Sequence, residues 1–347
     1  MRALRKTGRG PGAELIELPI PVPGEDEVLV RVHAASICGT DLHIYEWNDW
    51  ADGRIGRVPM TFGHEMAGTV EAVGDEVHHV QPGTFVAAET HIACGQCSTC
   101  RTGREHICEN LRILGVDTEG VFADYVVLPA HNAWVVGPEI DPDVASIMEP
   151  FGNAVHAAFG SGGGEDIATN PVAVIGCGPI GLFAVGVVRS LGAWKVIAVE
   201  PNPDRRAMAA PMGADVVVDP LAEDPVEAVM AATNGQGAEV VLEMSGNTRA
   251  IDQGTRMLAR GGRMSLLGLP PGPVTLDLND QVIFKEARLQ GITGREMFRT
   301  WQQTTTLLST GRVDVAPVIT HRFPLAKFEQ AFETTASGRS GKVILLP

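Results

Sequence analysis

Alternating apolar and polar positions mark the first part of the chain. Residues 27–33 (EVLVRVH) and 67–73 (AGTVEAV) place apolar side chains at about every second position, which is the period of a strand with one buried face. Turns rich in proline and glycine at 21–26 and 81–84 separate such segments. Short strands between turns of this kind predict a mostly antiparallel, barrel-like domain over residues 1–150.

The pattern changes beyond a glycine-rich joint at residues 161–166. Residues 171–175 (PVAVI) and 195–199 (KVIAV) are apolar without alternation, as expected of strands buried on both faces. Further segments of this type are at 214–219, 238–243 and 261–268. The segment at 171–175 is followed by residues that are apolar at helical spacing, and Gly192 ends this predicted helix. Strands alternating with helices predict an α/β domain with a doubly wound parallel sheet over residues 151–300. Residues 301–347 are mixed and end in a candidate last strand, KVILLP.

Composition narrows the possible partners and the location. A chain of 347 residues with 44% hydrophobic residues is long enough for two cores. Its net charge of −15 argues against nucleic acid or an anionic membrane surface as the main partner. No segment approaches the roughly 18 apolar residues of a membrane helix, and no apolar region of a signal peptide follows the basic start. We therefore expect a cytoplasmic protein.

Four of the six cysteines lie within fifteen residues, at Cys94, Cys97, Cys100 and Cys108. Four thiolates complete a tetrahedral shell around Zn²⁺ and leave no open position, so this set predicts a structural zinc in a loop spanning about residues 88–115. The alternative is two disulfides in a secreted protein, which chain length and the missing signal disfavour.

A dinucleotide motif opens the first helix of the second domain. The motif G-x-G-x-x-G consists of Gly176, Gly178 and Gly181. It follows a buried strand, opens a helix and is followed nineteen positions later by Glu200, which is the context of a dinucleotide fingerprint rather than an ordinary turn. The Glu200 carboxylate suits both ribose hydroxyls and favours NAD over NADP. Arg205 and Arg206 leave open that a 2′-phosphate is neutralised here instead.

A second, open metal site is predicted from Cys38, His64 and Glu65. Adjacent residues on a strand point to opposite faces, so His64 and Glu65 share a metal only if the backbone turns, which Gly63 permits. One thiolate, one imidazole and one carboxylate leave the fourth position of a zinc ion open, as catalysis requires. The alternatives are that Cys38 is a small core residue and that His64 and Glu65 form a surface pair.

These motifs occur in one order along the chain: CGTDLH at 38–43, GHE at 63–65, the cysteine block and the glycine motif. Together they resemble the zinc-dependent medium-chain alcohol dehydrogenases over essentially the whole chain. The resemblance implies a GroES-like catalytic domain, a Rossmann domain, and a final segment, 301–347, that returns to the catalytic domain. It also implies NAD, two zinc ions per protomer and a homotetramer.

Within that family, the threonine-oxidising members are the most similar. The segments that carry this similarity are HIYEWNDWA at 43–51, AETH at 88–91, EPFGNAVH at 149–156, VIFKE at 282–286 and GREMFRTW at 294–301. The implied reaction oxidises the secondary alcohol of L-threonine to 2-amino-3-oxobutanoate with transfer of a hydride to NAD. Two alternatives stay open: a polyol or 2,3-butanediol dehydrogenase of the same family, and a non-catalytic zinc-binding protein on this fold.

The resemblance also implies roles for single residues. Cys38, His64 and Glu65 correspond to zinc ligands, and Glu149 to an acidic residue that either enters the zinc shell transiently or steers protons. Thr40 and His43 correspond to a proton relay; without the resemblance, they would be a helix-cap residue and a surface histidine.

The cofactor and substrate residues form a larger group. Besides the three glycines, the implied cofactor contacts are Ile180, Glu200, Arg205, Leu267, Gly268 and Leu269, with Ile292 and Thr293 nearer the nicotinamide. His91 corresponds to a residue linked to substrate choice. Tyr45 and Trp50 follow the relay closely in sequence and are candidates for a pocket wall, or else pack in a core or an interface. Two departures from the family are Thr84 and Glu200, where aspartate is frequent.

Overall fold

The computed structural model describes all 347 residues, which form two compact units. The first unit comprises Met1–Glu149, Glu296–Thr305 and Ile319–Pro347, and the second comprises Pro150–Arg295 and Thr306–Val318. The second unit is thus inserted into the chain of the first. Residues 306–318, part of the segment expected to return to the first domain, lie in the second unit.

The first unit is built mainly from antiparallel strands. Its strands are β1 Arg2–Lys6, β2 Glu14–Glu17, β3 Glu27–Ser36, β4 Met60–Thr61, β5 Glu65–Val73, β6 Phe85–Ala88, β7 His91–Ile92, β8 Arg112–Ile113, β9 Tyr125–Pro129, β10 Ala133–Val135, β17 Ile319–Pro324 and β18 Lys342–Leu346. The main sheet has the order β10-β6-β5-β3-β18-β17, with β9 also paired to β3. Only the β17–β18 pair in it is parallel.

Strand β3 is the centre of this sheet, because it pairs with β5, β9 and β18. The sequence predicts that it alternates, yet Val28, Leu29 and Val30 are all buried. Its pairing with β5 shifts register between Leu29 and Val30, and such an irregularity turns successive side chains away from strict alternation. Apolar residues of the strands form one core with the helix near the carboxyl end.

Short helices connect these strands. The helices of the first unit are α1 Gly39–Glu46, α2 Asp49–Arg54, α3 Ser98–Arg101, α4 Pro142–Ser146 and α11 Phe328–Ala336. Two further helices, α5 Met148–Phe159 and α10 Arg299–Ser309, each begin in the first unit and continue into the second.

The second unit is a six-stranded parallel sheet with helices between its strands. The strands are β11 Pro171–Ile175, β12 Lys195–Val199, β13 Val216–Val218, β14 Ala238–Glu243, β15 Leu258–Leu266 and β16 Arg288–Gly291; the helices are α6 Pro179–Ser190, α7 Pro203–Ala209, α8 Pro225–Ala232 and α9 Thr248–Met257. The strand order is β13-β12-β11-β14-β15-β16, and every pair is parallel. This is the doubly wound sheet that the sequence predicts, with its switch point between β11 and β14.

The helices of the second unit begin at residues suited to that position. Asn202, Asp224 and Asn247 accept hydrogen bonds from the first free amides of α7, α8 and α9, which stabilises each helix start. Helix α6 is the exception, since Gly178 precedes it and offers no side chain. None of the helices in the structure has the length and apolar character needed to cross a membrane.

Candidate metal and dinucleotide sites

The three residues of the predicted open metal site lie at the ends of two neighbouring strands. Cys38 follows β3 and caps α1, and Glu65 is the first residue of β5. Gly63 has a φ of +89°, so the chain turns just before His64. A Cβ at Gly63 would lie 2.7 Å from the ring of Phe122, so this turn requires glycine. Possible ligand atoms of Cys38, His64 and Glu65 then lie within 4.8 Å of one another.

The donor set fits a divalent metal ion. Glu65 Oε1 is buried and has no hydrogen-bond partner, although a buried polar atom without a partner is costly. Zinc bonds of about 2.0–2.3 Å would bring the ligand atoms to within about 4 Å of one another, so small side-chain rotations close the set. A thiolate, an imidazole and a carboxylate are all ligands that zinc accepts.

Asp41 supports this set, although its place in the sequence predicts no role for it. It is fully buried. Its Oδ2 accepts the Cys38 backbone N–H at 2.8 Å, and its Oδ1 lies 3.4 Å from His64 Nδ1. Burial lowers the pKa of His64, but the charges of Asp41 and Cys38 and the hydrogen bonds to both together outweigh it, and the net pKa is raised well above the ordinary value. With Nδ1 facing Asp41, Nε2 is the His64 atom left for a metal. The only hint of this role in the sequence is that Asp41 lies three positions after Cys38 in the CGTD motif.

Lys342 is a second residue near this site whose role the sequence does not indicate. Its ammonium is buried, forms an ion pair with Glu65 Oε2 and donates to the Ile37 carbonyl at 3.0 Å. Ser36, which faces Glu65 across the β3–β5 pair, donates its hydroxyl to the same oxygen. Burial alone would lower the pKa of Lys342, but the charges of Glu65 and Cys38 raise it above the ordinary value.

Glu149 adds a further carboxylate to this neighbourhood. It is buried in the first turn of α5. Burial raises the pKa of Glu65, the Lys342 ammonium opposes that shift, and the Glu149 charge adds to it. A bound divalent cation would act in the opposite direction and keep Glu65 ionised.

The two relay candidates lie one turn apart on α1. Thr40 Oγ1 lies 4.0 Å from Cys38 Sγ, and His43 is exposed on the same helix. The Asn48 side chain contacts His43 Nδ1 at 2.7 Å. If the Asn48 amide nitrogen is the donor, Nδ1 accepts and Nε2 carries the proton of the neutral ring.

The aromatic candidates for a pocket wall have different surroundings. Trp50 is 41% exposed, and its ring centroid lies 5.8 Å from that of His43. Tyr45 instead stacks on Phe332 with centroids 4.4 Å apart and packs against the core of the first unit. The position of Tyr45 matches the alternative that this side chain packs in the core.

His91 is anchored by a network of buried polar groups. Its backbone N–H donates to Glu89 Oε1 at 2.7 Å, and its Nδ1 lies 3.7 Å from the same oxygen. The other oxygen of Glu89 accepts the indole N–H of Trp301 at 2.6 Å. Asn132 donates to the carbonyls of both Glu89 and His91. These hydrogen bonds fix the backbone from which the His91 side chain projects. Nothing in the sequence indicates that Glu89 and Trp301 support His91.

The cysteine block is gathered as a four-sulfur set. All four sulfurs lie within 4.8 Å of one another. Cys97 Sγ lies 3.4 Å from Cys100 Sγ and 3.8 Å from Cys108 Sγ, close to the spacing of about 3.8 Å that a tetrahedron with Zn–S bonds of about 2.3 Å requires. These distances are far longer than a disulfide bond of about 2.05 Å. Hydrogen bonds from the Thr99 hydroxyl and from the backbone amides of Cys100 and Glu109 lower the pKa of Cys97 to about 5.

The predicted cofactor residues of the second unit follow the carboxyl ends of its parallel strands. Gly176 follows β11, Glu200 follows β12, residues 267–269 follow β15, and residues 292–293 follow β16. A cavity of about 410 Å³ opens at the switch point, lined among others by Gly176, Gly178, Glu200, Arg205, Asn247 and Arg249. Ligands of doubly wound sheets bind at this place. Ile180 lies in the first turn of α6, while Leu269 is 90% exposed.

The three motif glycines are each required for a different reason. Gly176 has a φ of +88°. A Cβ at Gly181 would lie 1.8 Å from the Gly176 carbonyl oxygen, so only glycine lets the helix pack on the strand there. A Cβ at Gly178 would meet no atom closer than 4.0 Å. The space before α6 is therefore free for a phosphate to approach the amides of the helix start.

Glu200, Arg205 and Arg206 differ in their hydrogen bonds and ion pairs. Glu200 accepts the Cys177 N–H at 2.6 Å and the Asn202 N–H at 2.8 Å, which fixes its carboxylate at the loop. Arg206 binds the carbonyls of residues 200 and 201 and pairs with Asp219 at 2.9 Å. Arg205 lines the cavity, and its buried Nε has no hydrogen-bond partner.

Comparison with known proteins agrees with this arrangement. Residues 24–138 match the family model of the alcohol dehydrogenase GroES-like domain, and residues 179–310 match that of the zinc-binding dehydrogenases. The chain belongs to the zinc-dependent alcohol dehydrogenase family.

Relatives and solved structures cover the whole chain. L-threonine 3-dehydrogenases of Bacillus subtilis and Thermococcus kodakarensis are 52% and 46% identical to it, over 100% of this chain and 99% and 98% of theirs. A zinc-binding dehydrogenase of Sinorhizobium meliloti 1021 bound to NADP is 31% identical, with a TM-score of 0.91. Alcohol dehydrogenase TADH from Thermus sp. ATN1 is 30% identical, with a TM-score of 0.90. Both structural matches cover 100% of this chain and 99% of the other.

Proposed function

We propose that this chain oxidises the secondary alcohol of L-threonine to 2-amino-3-oxobutanoate and transfers the hydride to NAD. The observation that carries the proposal is the set of half-buried Cys38 and buried His64 and Glu65, whose possible ligand atoms lie within 4.8 Å of one another. The similarity to L-threonine 3-dehydrogenases at 46–52% identity along the whole chain supports the choice of substrate.

The metal and the nucleotide supply the chemistry that side chains cannot. Zinc held by Cys38, His64 and Glu65 would provide a Lewis acid that makes an alcohol more acidic, and a bound nicotinamide would provide a hydride acceptor. Asp41 Oδ1, 3.4 Å from His64 Nδ1, would hold the imidazole ring and leave Nε2 for the metal. The cysteine block takes no part in the reaction, because four thiolates leave no open position on the ion that they hold.

The alcohol proton leaves by the first turns of α1 in this proposal. A threonine hydroxyl accepts and donates a hydrogen bond, so Thr40 can take up a proton and pass it on. His43 lies on the neighbouring turn and is exposed, so its imidazole can release that proton to solvent. The buried carboxylate of Glu149 acts in this proposal either as a transient metal ligand or as a proton carrier. His91 contributes to substrate choice.

The cofactor in this proposal is NAD. The Glu200 carboxylate is held by two backbone amides at the cavity, and its negative charge disfavours a 2′-phosphate. Arg205 favours NADP instead, because it lines the same cavity and its Nε has no hydrogen-bond partner. We give Glu200 more weight because Arg206, the other cation nearby, is already engaged with Asp219.

NADH formation with a panel of alcohols tests the proposal. L-Threonine should be the best substrate, ahead of L-serine, sorbitol and 2,3-butanediol, and Cys38→Ser should abolish the activity. A preference for sorbitol or 2,3-butanediol would favour the polyol or butanediol dehydrogenase instead. A protein with one tightly held zinc and no chelator-sensitive turnover would be the non-catalytic alternative.

We also infer a cytoplasmic homotetramer. The family resemblance supports the tetramer, and the edge strand β16, which pairs on one side only within the chain, offers backbone groups to a second copy. Light scattering coupled to size exclusion should give four times the 36.8 kDa of the chain. A monomer mass at working concentration would contradict the inference.

A further inference from the structure

The Glu65 carboxylate has two oxygens in very different situations. Oε2 accepts hydrogen bonds from both Lys342 and Ser36, whereas Oε1 is buried with no hydrogen-bond partner. Ser36 lies on β3, which is next to β5 in the sheet, and Lys342 lies on β18, the strand beyond β3. The sheet register therefore fixes which oxygen is held and which is free.

Lys342 has little freedom to leave this position. The side chain is 4% exposed, and its ammonium also donates to the Ile37 carbonyl, one residue before Cys38. Strand β18 places it there by pairing with the end of β3, with Ile344 opposite Ser36. A buried ammonium that lost its carboxylate would be strongly destabilised, so the pair holds together.

We propose that Lys342 is a positioning residue that, together with Ser36, occupies one oxygen of Glu65 and so limits this carboxylate to a single bond with the metal. The inference rests on the proposed metal site. A carboxylate that binds through both oxygens would fill the position that an open zinc site keeps for its substrate. Lys342 thereby keeps that position available.

The charges near the site give the sign of the expected effect. Two anionic ligands, Cys38 and Glu65, balance the charge of Zn²⁺, while the buried carboxylates of Asp41 and Glu149 add negative charge. Lys342 offsets part of that surplus. Removing its ammonium therefore does not weaken the attraction for a divalent cation, and Lys342→Met should still bind the metal while Glu65 closes on it.

The experiment replaces the bound metal with Co²⁺ in the full-length protein and records its visible absorption spectrum. The spectrum of Cys38→Ser, which retains the cysteine block, is subtracted to isolate the open site. Imidazole is then titrated as an added ligand. Wild type should hold two metal ions per chain and bind imidazole with a spectral change.

Lys342→Met should retain two metal ions, and its visible bands should be weaker because the coordination number of Co²⁺ at the open site rises. It should bind imidazole about tenfold or more weakly, which is the size of effect seen when a hydrogen-bond partner of a metal ligand is removed. Ser36→Ala should change in the same direction to a smaller extent. Lys6→Met is the matched control, since Lys6 is another buried lysine of the first unit but donates to the carbonyls of Gly12 and Tyr45. It should keep the wild-type spectrum.

An unchanged spectrum and imidazole affinity in Lys342→Met would overturn the inference, as would loss of the metal from the open site in both Lys342→Met and Ser36→Ala. If wild type itself bound only the metal of the cysteine block, the proposed function would fail instead. The metal count of the wild-type protein thus separates the two failures.

Discussion

Replacing Asp41 by asparagine tests the support of the metal set directly. The substitution keeps the size of a fully buried side chain and removes its charge. The asparagine oxygen can still accept the Cys38 N–H, which Asp41 binds at 2.8 Å. Its amide nitrogen then faces His64 Nδ1, 3.4 Å from the present carboxylate oxygen. Two N–H donors cannot bond to each other, so His64 loses the partner that holds its tautomer.

The expected cost follows from that one contact. A hydrogen bond to a charged group contributes about 1.5–3 kcal/mol, and each 1.4 kcal/mol corresponds to about a factor of ten in affinity. Asp41→Asn should therefore weaken metal binding at the open site by about 10- to 100-fold. Loss of carboxylate partners of metal-bound histidines has effects of the same size.

Competition with a coloured chelator measures this affinity for the weaker of the two metal ions. The control is Asp52→Asn, which removes a carboxylate from the neighbouring helix α2, where Asp52 pairs with Arg9 and accepts the Trp47 indole N–H. It should leave the affinity unchanged. Equal metal affinity in Asp41→Asn and wild type would refute a supporting role of Asp41 in metal binding.

Four further outcomes can be checked. Cys97→Ser should release one zinc in elemental analysis and lower the melting temperature by on the order of 10 °C, since structural zinc contributes folding energy; an unchanged zinc count would contradict this. Glu200→Gln should lower kcat/KM for NAD by about tenfold and raise the NADP-to-NAD ratio in steady-state assays, whereas an unchanged ratio would remove Glu200 from cofactor choice. Gly181→Ala should lower the melting temperature while Gly178→Ala keeps it and loses NADH binding in fluorescence titrations; equal behaviour of the two would count against the assigned packing. Burial lowers the pKa of Lys6 to about 8, so the folded state binds fewer protons than the unfolded chain above that pH. The free energy of unfolding in urea, relative to Lys6→Met, should then rise from pH 8 to about pH 10, and a flat difference would contradict it.

Features with a local signature could be predicted from the sequence. The second unit has buried strands without alternation, and each produces a local apolar run that the sequence displays. The glycine motif is likewise local, because the turn at Gly176 and the close approach at Gly181 are both settled within a few residues. For the same reason, Gly63 could be recognised as the turn that lets His64 and Glu65 face one position.

Features that depend on distant pairing could not be predicted. Lys342 is 277 residues from Glu65, and a lysine before an apolar strand looks like any exposed charge. Glu89 and Trp301 are similarly remote from each other, at a separation of 212 positions along the chain. Tyr45 shows the converse case: its sequence position near the relay suggested a pocket, but the ring stacks on Phe332, which a local pattern cannot reveal.

The insertion of one unit into the chain of the other affects synthesis on the ribosome. Strand β3 needs β18 as a neighbour, yet the paired residues Ser36 and Ile344 are separated by roughly 300 positions. At about 5–20 residues per second, translation leaves that edge of β3 without its partner for about 15–60 s. The parallel-sheet unit emerges whole in the meantime, so the nascent first unit exposes an open sheet edge that offers its backbone groups to other chains.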